Sequence, residues 1–428
     1  MRVCIKTYGC TLNQADSNIM KSILESNGVM ITERIDDADV AVVNTCTVKN
    51  ITAQKILYRL SRMHDAGRKI VVTGCMASAN RNLIEKYAPS ASVVDTSNIG
   101  RIAEVAERLD VGKRMVVEDY AKVDKMALFN ADDGIIAKIP INEGCTSNCS
   151  FCETKFARGP LNSFSEEKIL DAVAQSARMG AKEIQLTSQD VGAYGIDSGT
   201  DIATLMGRIA QLDGDFKVRV GMINPEHLHR CFDGFAKELK GEKFYKFAHI
   251  PVQSGSNKVL KDMGRKGTIE EFEGYVKELR RKVPGVTIET DLIAGFPTES
   301  DDQFKETIDF VRRTRPEVTN ISRFGARPHA CASKMRQQST EMINRRSVVL
   351  SRAVRQVQHE INDKFIGKRF DVIVTESNEK SLNGRNGSYR QVVIGRNDAK
   401  GIMVGERVDA LVNAASANVF YATVQKVV

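Results

Sequence analysis

Three closely spaced cysteines are the strongest chemical signal in this chain of 428 residues. Cys145, Cys149 and Cys152 lie in the stretch EGCTSNCSFC, directly after the alternating apolar run IIAKIPIN. Thiolates are the usual protein ligands of iron–sulfur clusters, and a loop that offers three of them without a fourth ligand can hold a [4Fe-4S] cluster by three corners. The spacing therefore predicts a cluster with one iron open to a small molecule.

Two other uses of these cysteines fit the sequence less well. A structural zinc site takes four ligands, and no fourth Cys or His lies within ten residues of Cys152. A disulfide with a spare thiol needs an oxidising compartment, whereas the chain starts with MRVCIKTYG and shows no apolar signal segment. We therefore expect a cytoplasmic protein, and no apolar run approaches the ~20 residues of a membrane span.

Three further cysteines follow predicted strands in the first third of the chain. Four short β-rich runs alternate there with polar or helical stretches, which predicts a parallel α/β sheet. The runs are VCIKTY, ADVAVVNT, KIVVTG and SVVDTS. Cys10, Cys46 and Cys75 lie at the ends of three of them, and the carboxyl ends of parallel strands share one edge of a sheet. These thiols could hold a second cluster there, or each could be a small buried hydrophobic residue.

Six more predicted strands alternate with helical segments between about residues 133 and 330. They are IIAKIPIN, EIQLTS, KVRVGM, KFAHI, TIETDLI and NISRF. This pattern predicts a partial (β/α)6 barrel of the TIM type, which places its chemistry at the carboxyl ends of its strands. The cysteine loop follows the first strand, and polar residues gather after the later ones. These are Ser188, Gln189, Asp190, Asn224, His249, Gln253, Ser254, Asp291 and Arg323. His249 could equally be a hydrogen-bonded core residue.

Positive charge is concentrated in one segment. The whole chain carries a net charge of +8, and the segment from Arg312 to Arg369 alone holds 14 Lys and Arg against 4 Asp and Glu. This excess favours a polyanionic partner such as nucleic acid. Alternatively, Asn344 to Asp363 could be a helix that packs through Val349, Ala353, Val357 and Ile361 while its arginines are simply solvated.

The C-terminal segment contains short alternating runs, and Asn386-Gly387 is a hairpin-turn signal. The runs are RFDVIVTES, YRQVVIG, RVDALVNAA and NVFYATVQKV. They predict a small all-β barrel, whose basic side chains would bind phosphates without reading base sequence. The candidate RNA-binding residues are Lys368, Arg369, Arg385, Arg390, Arg396 and Lys400.

Segments spread over nearly the whole chain resemble the methylthiotransferase family of the radical S-adenosylmethionine (SAM) superfamily. They are TYGCTLNQADS, NTCTV, TGC, EGCTSNCSFC, LTSQDVGAYG, RVGMINPEHL, HIPVQSGSNKVLKDMGR, DLIAGFPTES and RFGARPHACASKM. LTSQDVGAYG and NPEHL are similar to the archaeal and eukaryotic branch that acts on threonylcarbamoyl-adenosine in transfer RNA. The resemblance implies four parts, namely an N-terminal methylthiotransferase domain at 1–120, a radical SAM core at 131–335, a basic connecting helix at 336–365 and a TRAM RNA-binding domain at 366–428.

The resemblance also implies how the residues are used. Cys145, Cys149 and Cys152 would hold the SAM-cleaving cluster, and the three N-terminal cysteines an auxiliary [4Fe-4S] cluster. Together they would add a methylthio group to carbon 2 of the adenosine next to the anticodon, with an electron donor and a sulfur donor that the sequence does not identify. The residues implied in SAM contact are Phe151, Ser188, Gln189 and Asn224.

Two departures from the family and three rival functions stay open at this point. Family members commonly have Glu at Gln189, and Gly-Thr in place of His329-Ala330. The same chemistry could act on isopentenyladenosine in transfer RNA or on an aspartate of a ribosomal protein. A noncatalytic RNA-binding protein with structural metal is the rival of a different class.

Overall fold

The computed structural model describes residues 1–48, 50–119, 124–131 and 134–428. Its N-terminal region contains a parallel sheet of six strands in the order β2-β1-β3-β4-β5-β6. Its strands are β1 Arg2–Thr7, β2 Met30–Ile31, β3 Val40–Thr45, β4 Lys69–Gly74, β5 Ser92–Val94 and β6 Val116–Val117. Its helices are α1 Thr11–Ser26, α2 Asn50–Asp65, α3 Cys75–Ala79, α4 Arg81–Tyr87 and α5 Ile102–Asp110. The four predicted strands are confirmed, whereas the two-residue edge strands β2 and β6 are too short to show a pattern.

The middle of the chain forms the predicted partial barrel. Two parallel three-stranded sheets, β11-β10-β7 and β12-β13-β14, lie next to each other through a bridge between Val218 and Phe244. The strands of these two sheets are β7 Ile136–Pro140, β10 Glu183–Thr187, β11 Lys217–Val220, β12 Phe247–His249, β13 Thr287–Ala294 and β14 Val318–Arg323. The short strands β8 Asn142–Glu143 and β9 Asn162–Ser163 form a separate antiparallel pair. The helices are α6 Thr154–Arg158, α7 Glu166–Arg178, α8 Ile202–Ile209, α9 Pro225–Lys240, α10 Asn257–Asp262, α11 Ile269–Lys282 and α12 Asp301–Thr314.

The long basic helix α13, Thr340–Asn362, packs against this barrel rather than standing free. Ala353 and Val357 of its predicted apolar face are buried and Ile361 packs against the core, whereas Val349 is exposed. Leu350 and Val354, which the prediction did not include, also enter the core. Arg346 is also buried on that face, where its guanidinium pairs with Glu299 at 2.9 Å. Part of the predicted charge excess is therefore used inside the protein.

The C-terminal segment closes into a five-stranded barrel in the order β15-β16-β17-β19-β18. The strands are β15 Arg369–Ser377, β16 Ser381–Asn386, β17 Gln391–Gly395, β18 Arg407–Ala415 and β19 Val419–Val427. The predicted Asn386-Gly387 turn joins β16 to β17, and Tyr389 on this hairpin packs against Phe247 at the start of β12. The small barrel is thus attached to the amino-terminal end of the larger one, opposite the end that carries the cysteine loop.

The predicted domain limits stay predictions, and the boundary at residue 120 falls outside the described residues. No helix in the described part of the chain has the length and apolar character needed to cross a bilayer.

Candidate functional site

The auxiliary triad, defined as Cys10, Cys46 and Cys75, lies at one edge of the N-terminal sheet. Cys46 directly follows β3, Cys75 directly follows β4, and Cys10 precedes α1 after the β1 turn. The neighbouring glycines make this approach possible. Gly74 has a φ of +85°, and a Cβ on Gly9 would lie 2.8 Å from the Cβ of Cys46. The three strand ends that the sequence separates are therefore brought together as predicted.

Asn13, on the first turns of α1, ties the three loops of the auxiliary triad to one another. Its Nδ2 donates to the carbonyl oxygens of Tyr8 and Thr45, both at 2.8 Å. Its Oδ1 accepts from the thiol of Cys75 at 3.7 Å and from Arg158 at 2.6 Å. A single buried amide thus holds the triad's backbone in place before any metal binds.

A buried ionic network connects the auxiliary triad to the barrel domain. The Arg158 guanidinium donates to the Cys75 sulfur at 3.4 Å and to carboxylate oxygens of Asp16 at 2.6 Å and Glu143 at 2.7 Å. Lys125 contacts the same two carboxylates, each at 2.9 Å. The Arg158 and Lys125 side chains are both 0% exposed. Since Glu143 lies just before the cysteine loop, this network places one triad relative to the other.

The loop triad, defined as Cys145, Cys149 and Cys152, is organised by its own backbone. The N–H of Ser147 donates to the Cys145 sulfur at 3.4 Å, and the N–H of Thr154 donates to the Cys152 sulfur at 3.3 Å. Such donors stabilise thiolates and cluster-bound sulfur. The backbone of the loop itself therefore supports two of its three sulfur atoms.

Three side chains that spacing alone did not reveal support the loop triad from outside. Arg265 donates to the Cys149 sulfur at 3.6 Å and to the carbonyl oxygen of Pro251 at 2.6 Å. His227 lies between Thr146, at 2.9 Å from Nε2, and Asp190, at 2.6 Å from Nδ1. Asp190 was predicted at a strand end, and the NPEHL stretch that contains His227 was noted only for its resemblance. Arg265 ends the HIPVQSGSNKVLKDMGR stretch, which was likewise noted only for its resemblance.

The residues predicted to contact SAM lie around the loop triad, and their role stays a prediction. The Oε1 of Gln189 accepts from the N–H of Gly144 at 2.8 Å, and the Oδ1 of Asn224 accepts from Arg265 at 2.7 Å. Ser188 Oγ accepts from the N–H of Asp190 at 3.0 Å. These side chains hold the loop and its supports in the described structure, whereas Phe151 faces an open cavity.

Burial favours the protonated form of three thiols in the two triads. It raises the pKa of Cys46 to about 11, with the neighbouring Cys75 adding to the effect, and that of Cys145 to about 11, with Asp190 adding to it. Burial also raises the pKa of Cys75, although Arg158 acts in the opposite direction. Without metal these three thiols are therefore neutral at pH 7, and cluster binding must displace their protons.

The two triads fit iron–sulfur cubes better than single metal ions. Among the described residues, no three Cys, His, Asp or Glu side chains are close enough to hold one ion. Ligands to three different corners of a cube are farther apart than ligands to a single ion, and an arginine next to each triad suits the negative charge of a thiolate-bound cluster. The assignment of the six cysteines as ligands stays a prediction that this geometry supports.

A cavity of about 370 Å³ lies between the triads. It is lined by both domains, namely by Thr47, Val48, Phe151, Cys152, Glu153, Thr154, Gln253, Asp291, Ile293, Asn320, Ser322, Arg323, Phe324, Gly325 and Arg327. Thr47 is next to Cys46, so the cavity is adjacent to the auxiliary triad at one side and reaches the loop triad at the other. A larger groove of about 480 Å³ between α8 and α9 contains neither triad.

A histidine–carboxylate pair, His249 and Asp291, lies at the wall of the cavity. His249 Nε2 lies 2.9 Å from Asp291 Oδ2, behind the cavity wall. Burial alone would lower the pKa of His249, but the charge of Asp291 outweighs it and raises the pKa above its ordinary value. His249 is thus a largely buried residue that is hydrogen-bonded to a cavity carboxylate, which agrees with the alternative of a hydrogen-bonded core residue.

His329, one of the two departures from the family pattern, contacts both domains. Its ring stacks on Phe156 with centroids 3.8 Å apart, and its Nε2 lies 2.7 Å from the carbonyl oxygen of Ala79. The residue therefore contributes to the domain interface beside the cavity.

The predicted RNA-binding residues divide into two groups. Lys368, Arg369, Arg396 and Lys400 are exposed, although Arg369 pairs with Asp409 at 2.7 Å. Arg385 is half-buried and Arg390 is buried, because both pack against aromatic rings. Arg385 lies over the ring of Tyr389, whereas Arg390 lies over Phe420 and donates to Asn362 at 2.6 Å. The prediction for Arg390 is corrected, because its buried guanidinium joins α13 to the small barrel.

Known protein families match both halves of this site. Residues 2–95 match the family described as uncharacterized protein family UPF0004, and residues 139–311 match the radical SAM superfamily. A solved structure of the radical S-adenosylmethionine methyltransferase TsrM from Kitasatospora setae covers 78% of this chain, and this chain covers 77% of it, with a TM-score of 0.56 and 14% identity. That likeness concerns the fold alone.

Curated relatives match almost the whole chain. A probable threonylcarbamoyladenosine tRNA methylthiotransferase from Pyrococcus abyssi is 38% identical over 92% of this chain and 93% of its own length. The threonylcarbamoyladenosine tRNA methylthiotransferase from Homo sapiens is 34% identical over 93% of this chain and 70% of its own length.

Proposed function

This chain belongs to the threonylcarbamoyladenosine tRNA methylthiotransferase family, and from this premise we propose that it transfers a methylthio group to carbon 2 of N6-threonylcarbamoyladenosine next to the anticodon of transfer RNA. The names of the relatives support this substrate and none of the alternatives, whether isopentenyladenosine, a ribosomal-protein aspartate or a noncatalytic role. An unactivated aromatic C–H bond offers no acidic or basic handle, and the two clusters and SAM supply, when bound, the radical and sulfur chemistry that it requires.

The observation that carries the proposal is the cavity shared by the two triads. A methylthio transfer needs the radical source and the sulfur source to reach the same carbon atom. Cys152 lines the cavity directly, and so does Thr47, which is next to Cys46. A single adenine ring in this space would therefore be close to both clusters, which a structural metal protein has no need to achieve.

The chain's own residues prepare this arrangement in three ways. Arg158 and its buried carboxylates fix the distance between the triads, and His227 with Asp190 fixes the loop that holds one of them. Apolar side chains such as Phe151 and Phe324 line the cavity and exclude water from the reacting ring. The protein thus positions its groups before the substrate enters.

The transfer RNA needs two kinds of contact. The target base must leave its stack to reach the cavity, while the phosphates of the stem are held elsewhere. We assign the second task to the exposed basic residues of the small barrel, Lys368, Arg369, Arg396 and Lys400. We also propose that the protein is cytoplasmic and that separate partners, whose identity the sequence does not give, serve as its electron donor and sulfur donor.

The proposal is tested by reaction of the anaerobically reconstituted protein with SAM, dithionite, sulfide and transfer RNA that carries threonylcarbamoyladenosine. Mass spectrometry of the digested RNA should show the methylthio product together with released 5′-deoxyadenosine. A Cys149→Ala variant serves as the control and should give neither. Methylthiolation of isopentenyladenosine in place of threonylcarbamoyladenosine would contradict the proposal.

A further inference from the structure

Two arginines of the cavity have only neutral hydrogen-bond partners. Arg323 donates from Nη1 to the Oδ1 of Asn344 at 2.5 Å. Arg327 donates to the carbonyl oxygen of Val48 at 2.6 Å and to the side-chain oxygen of Asn50. Within the described part of the chain no carboxylate lies in ion-pair distance of either guanidinium. The cavity therefore presents two positive charges without an ion-pair partner, of which that of Arg323 is exposed and that of Arg327 is half-buried.

The acidic residues of the cavity are occupied by other partners. Asp291 faces His249 at 2.9 Å and accepts from the amide of Asn320 at 2.9 Å. Glu153 accepts from the amide of Asn80 at 3.0 Å. The hydrogen bonds of these two carboxylates go to other side chains, which leaves Arg323 able to bind an anionic ligand.

Of the two arginines, Arg327 lies on the side of the sulfur ligands. Its guanidinium is within electrostatic range of Glu153, Cys46 and Cys152. Both Nη groups of Arg327 already donate, to Asn50 and to Val48. Arg323 lies at the end of β14, and in the described hydrogen bonds it donates from Nη1 alone, to Asn344 of α13. Arg323 is therefore the cavity arginine that keeps an Nη group for a ligand.

The proposed substrate carries one ionised group that adenosine lacks. A threonylcarbamoyl substituent ends in a carboxylate, whereas an isopentenyl substituent is an uncharged hydrocarbon. Arg binds carboxylates through parallel N–H donors, and such charge-assisted pairs are about twice as strong as neutral hydrogen bonds. A site built around such a donor also rejects an analogue that cannot accept from it.

We propose that Arg323 binds the carboxylate of the threonylcarbamoyl group and is the residue by which the cavity selects this base over uncharged adenosines. This inference rests on the proposed function. Asn344 orients the guanidinium through one N–H and leaves the remaining donors for the substrate. Arg323 acts in binding and selection and takes no part in the radical steps.

The test measures binding, so it does not depend on turnover. Anticodon stem-loop RNAs that carry threonylcarbamoyladenosine, its threonyl methyl ester or plain adenosine are titrated into the anaerobically reconstituted full chain, with fluorescence anisotropy as the readout. The wild-type protein should prefer the free carboxylate over both neutral RNAs. The Arg323→Gln variant should lose this preference by about tenfold or more, because it removes one charge-assisted pair.

Two controls separate the carboxylate from other causes. Arg352→Gln removes an exposed charge of α13 that does not line the cavity. Any loss of affinity in this variant should be equal for the three RNAs, and the preference for the free carboxylate should remain. Iron content and circular dichroism of Arg323→Gln should match the wild type, which excludes misfolding. Arg323→Lys keeps the charge without the planar fork and should restore part of the preference.

Each remaining outcome identifies what has failed. An equal loss for all three RNAs on Arg323→Gln would make the residue a phosphate contact and overturn the inference while the proposed function stands. A preference that survives the substitution would also overturn it. If the wild-type protein bound threonylcarbamoyladenosine and adenosine equally well, this result would instead contradict the proposed substrate.

Discussion

The two cysteine triads prepare the same kind of cluster site by opposite means. The loop triad lies within one segment between Cys145 and Cys152, where backbone N–H groups contact two of its sulfurs. The auxiliary triad is assembled from three strand ends between Cys10 and Cys75 and depends on Asn13 and on residues of another domain. A local site can survive damage to the surrounding fold, whereas a distributed site is only as stable as the contacts that assemble it.

In each triad, nevertheless, one cysteine sulfur accepts a hydrogen bond from an arginine. Arg158 lies 3.4 Å from the Cys75 sulfur and is completely buried among carboxylates, whereas Arg265 lies 3.6 Å from the Cys149 sulfur and is bonded to neutral oxygens. A buried charge needs its partners, and removal of one leaves the others uncompensated. We therefore expect the two arginines to differ strongly in what their loss does to the protein.

The largest expected effect comes from the cysteines themselves. The wild-type chain should take up about eight irons, the content of two four-iron clusters, and Cys149→Ala and Cys46→Ala should each take up about four. Cys149→Ala should abolish reductive cleavage of SAM, because the remaining cluster belongs to the other triad. Cys46→Ala should retain SAM cleavage and lose methylthio transfer. Iron analysis and release of 5′-deoxyadenosine measure these results.

Cys231→Ala serves as the matched control, since this buried cysteine belongs to neither triad. It should keep the full iron content. If Cys46→Ala abolished SAM cleavage as well, the triads would not be independent sites and the comparison would fail.

The second effect concerns the domain interface. Arg158→Met should destabilise the protein by about 3–5 kcal/mol, because it leaves Asp16 and Glu143 buried without this partner. Denaturant unfolding measures the loss, and the iron content of the auxiliary site should fall with it. Arg265→Met should cost less stability, since its oxygen partners are uncharged.

Arg158→Lys provides the control for charge, since it keeps the cation and removes the planar fork. It should recover part of the stability. Equal unfolding free energies for Arg158→Met and Arg265→Met would show that the distributed triad has no special dependence on its ionic network.

A smaller and pH-dependent effect follows from Asp16. Burial alone would raise its pKa, but the charges of Arg158 and Lys125 outweigh burial and hold the pKa below the ordinary value of 3.8. The ionised form therefore stabilises the fold fully above pH 3.8, and this contribution is lost as the pH falls through the lower pKa of the folded state. Unfolding free energies of the wild type should drop steeply below about pH 4, while Asp16→Asn should show a flatter curve. Parallel curves would contradict this assignment.

The sequence predicted the loop triad completely and the auxiliary triad through its strand ends, because spacing and topology are both visible in residue patterns. It did not predict the sulfur contacts of Arg158 or Arg265, since their partners are distant in the chain, although Arg265 ends a stretch that carries the family resemblance. Strand β16, SLNGRN, was missed because its inward positions include Gly384 and Asn386 in place of apolar residues. The prediction for α13 was right at Ala353 and Val357 but missed Arg346, because this buried arginine is paired with Glu299 and looks like a solvent residue in the sequence.

The smallest expected effect concerns His227, a side chain that supports the loop triad and not the auxiliary triad. His227 contacts Thr146 of the loop and Asp190 behind it, and residues that orient metal ligands typically contribute about tenfold or more to metal affinity. His227→Leu should therefore weaken iron retention at the loop triad by about tenfold in a chelator competition. Iron at the auxiliary triad should be unaffected, because no described contact joins His227 to that site. His249→Leu is the matched control, since His249 pairs with Asp291 and contacts no cysteine loop. Loss of iron from both triads in His227→Leu would mean that the loop triad, like the auxiliary one, depends on the fold as a whole.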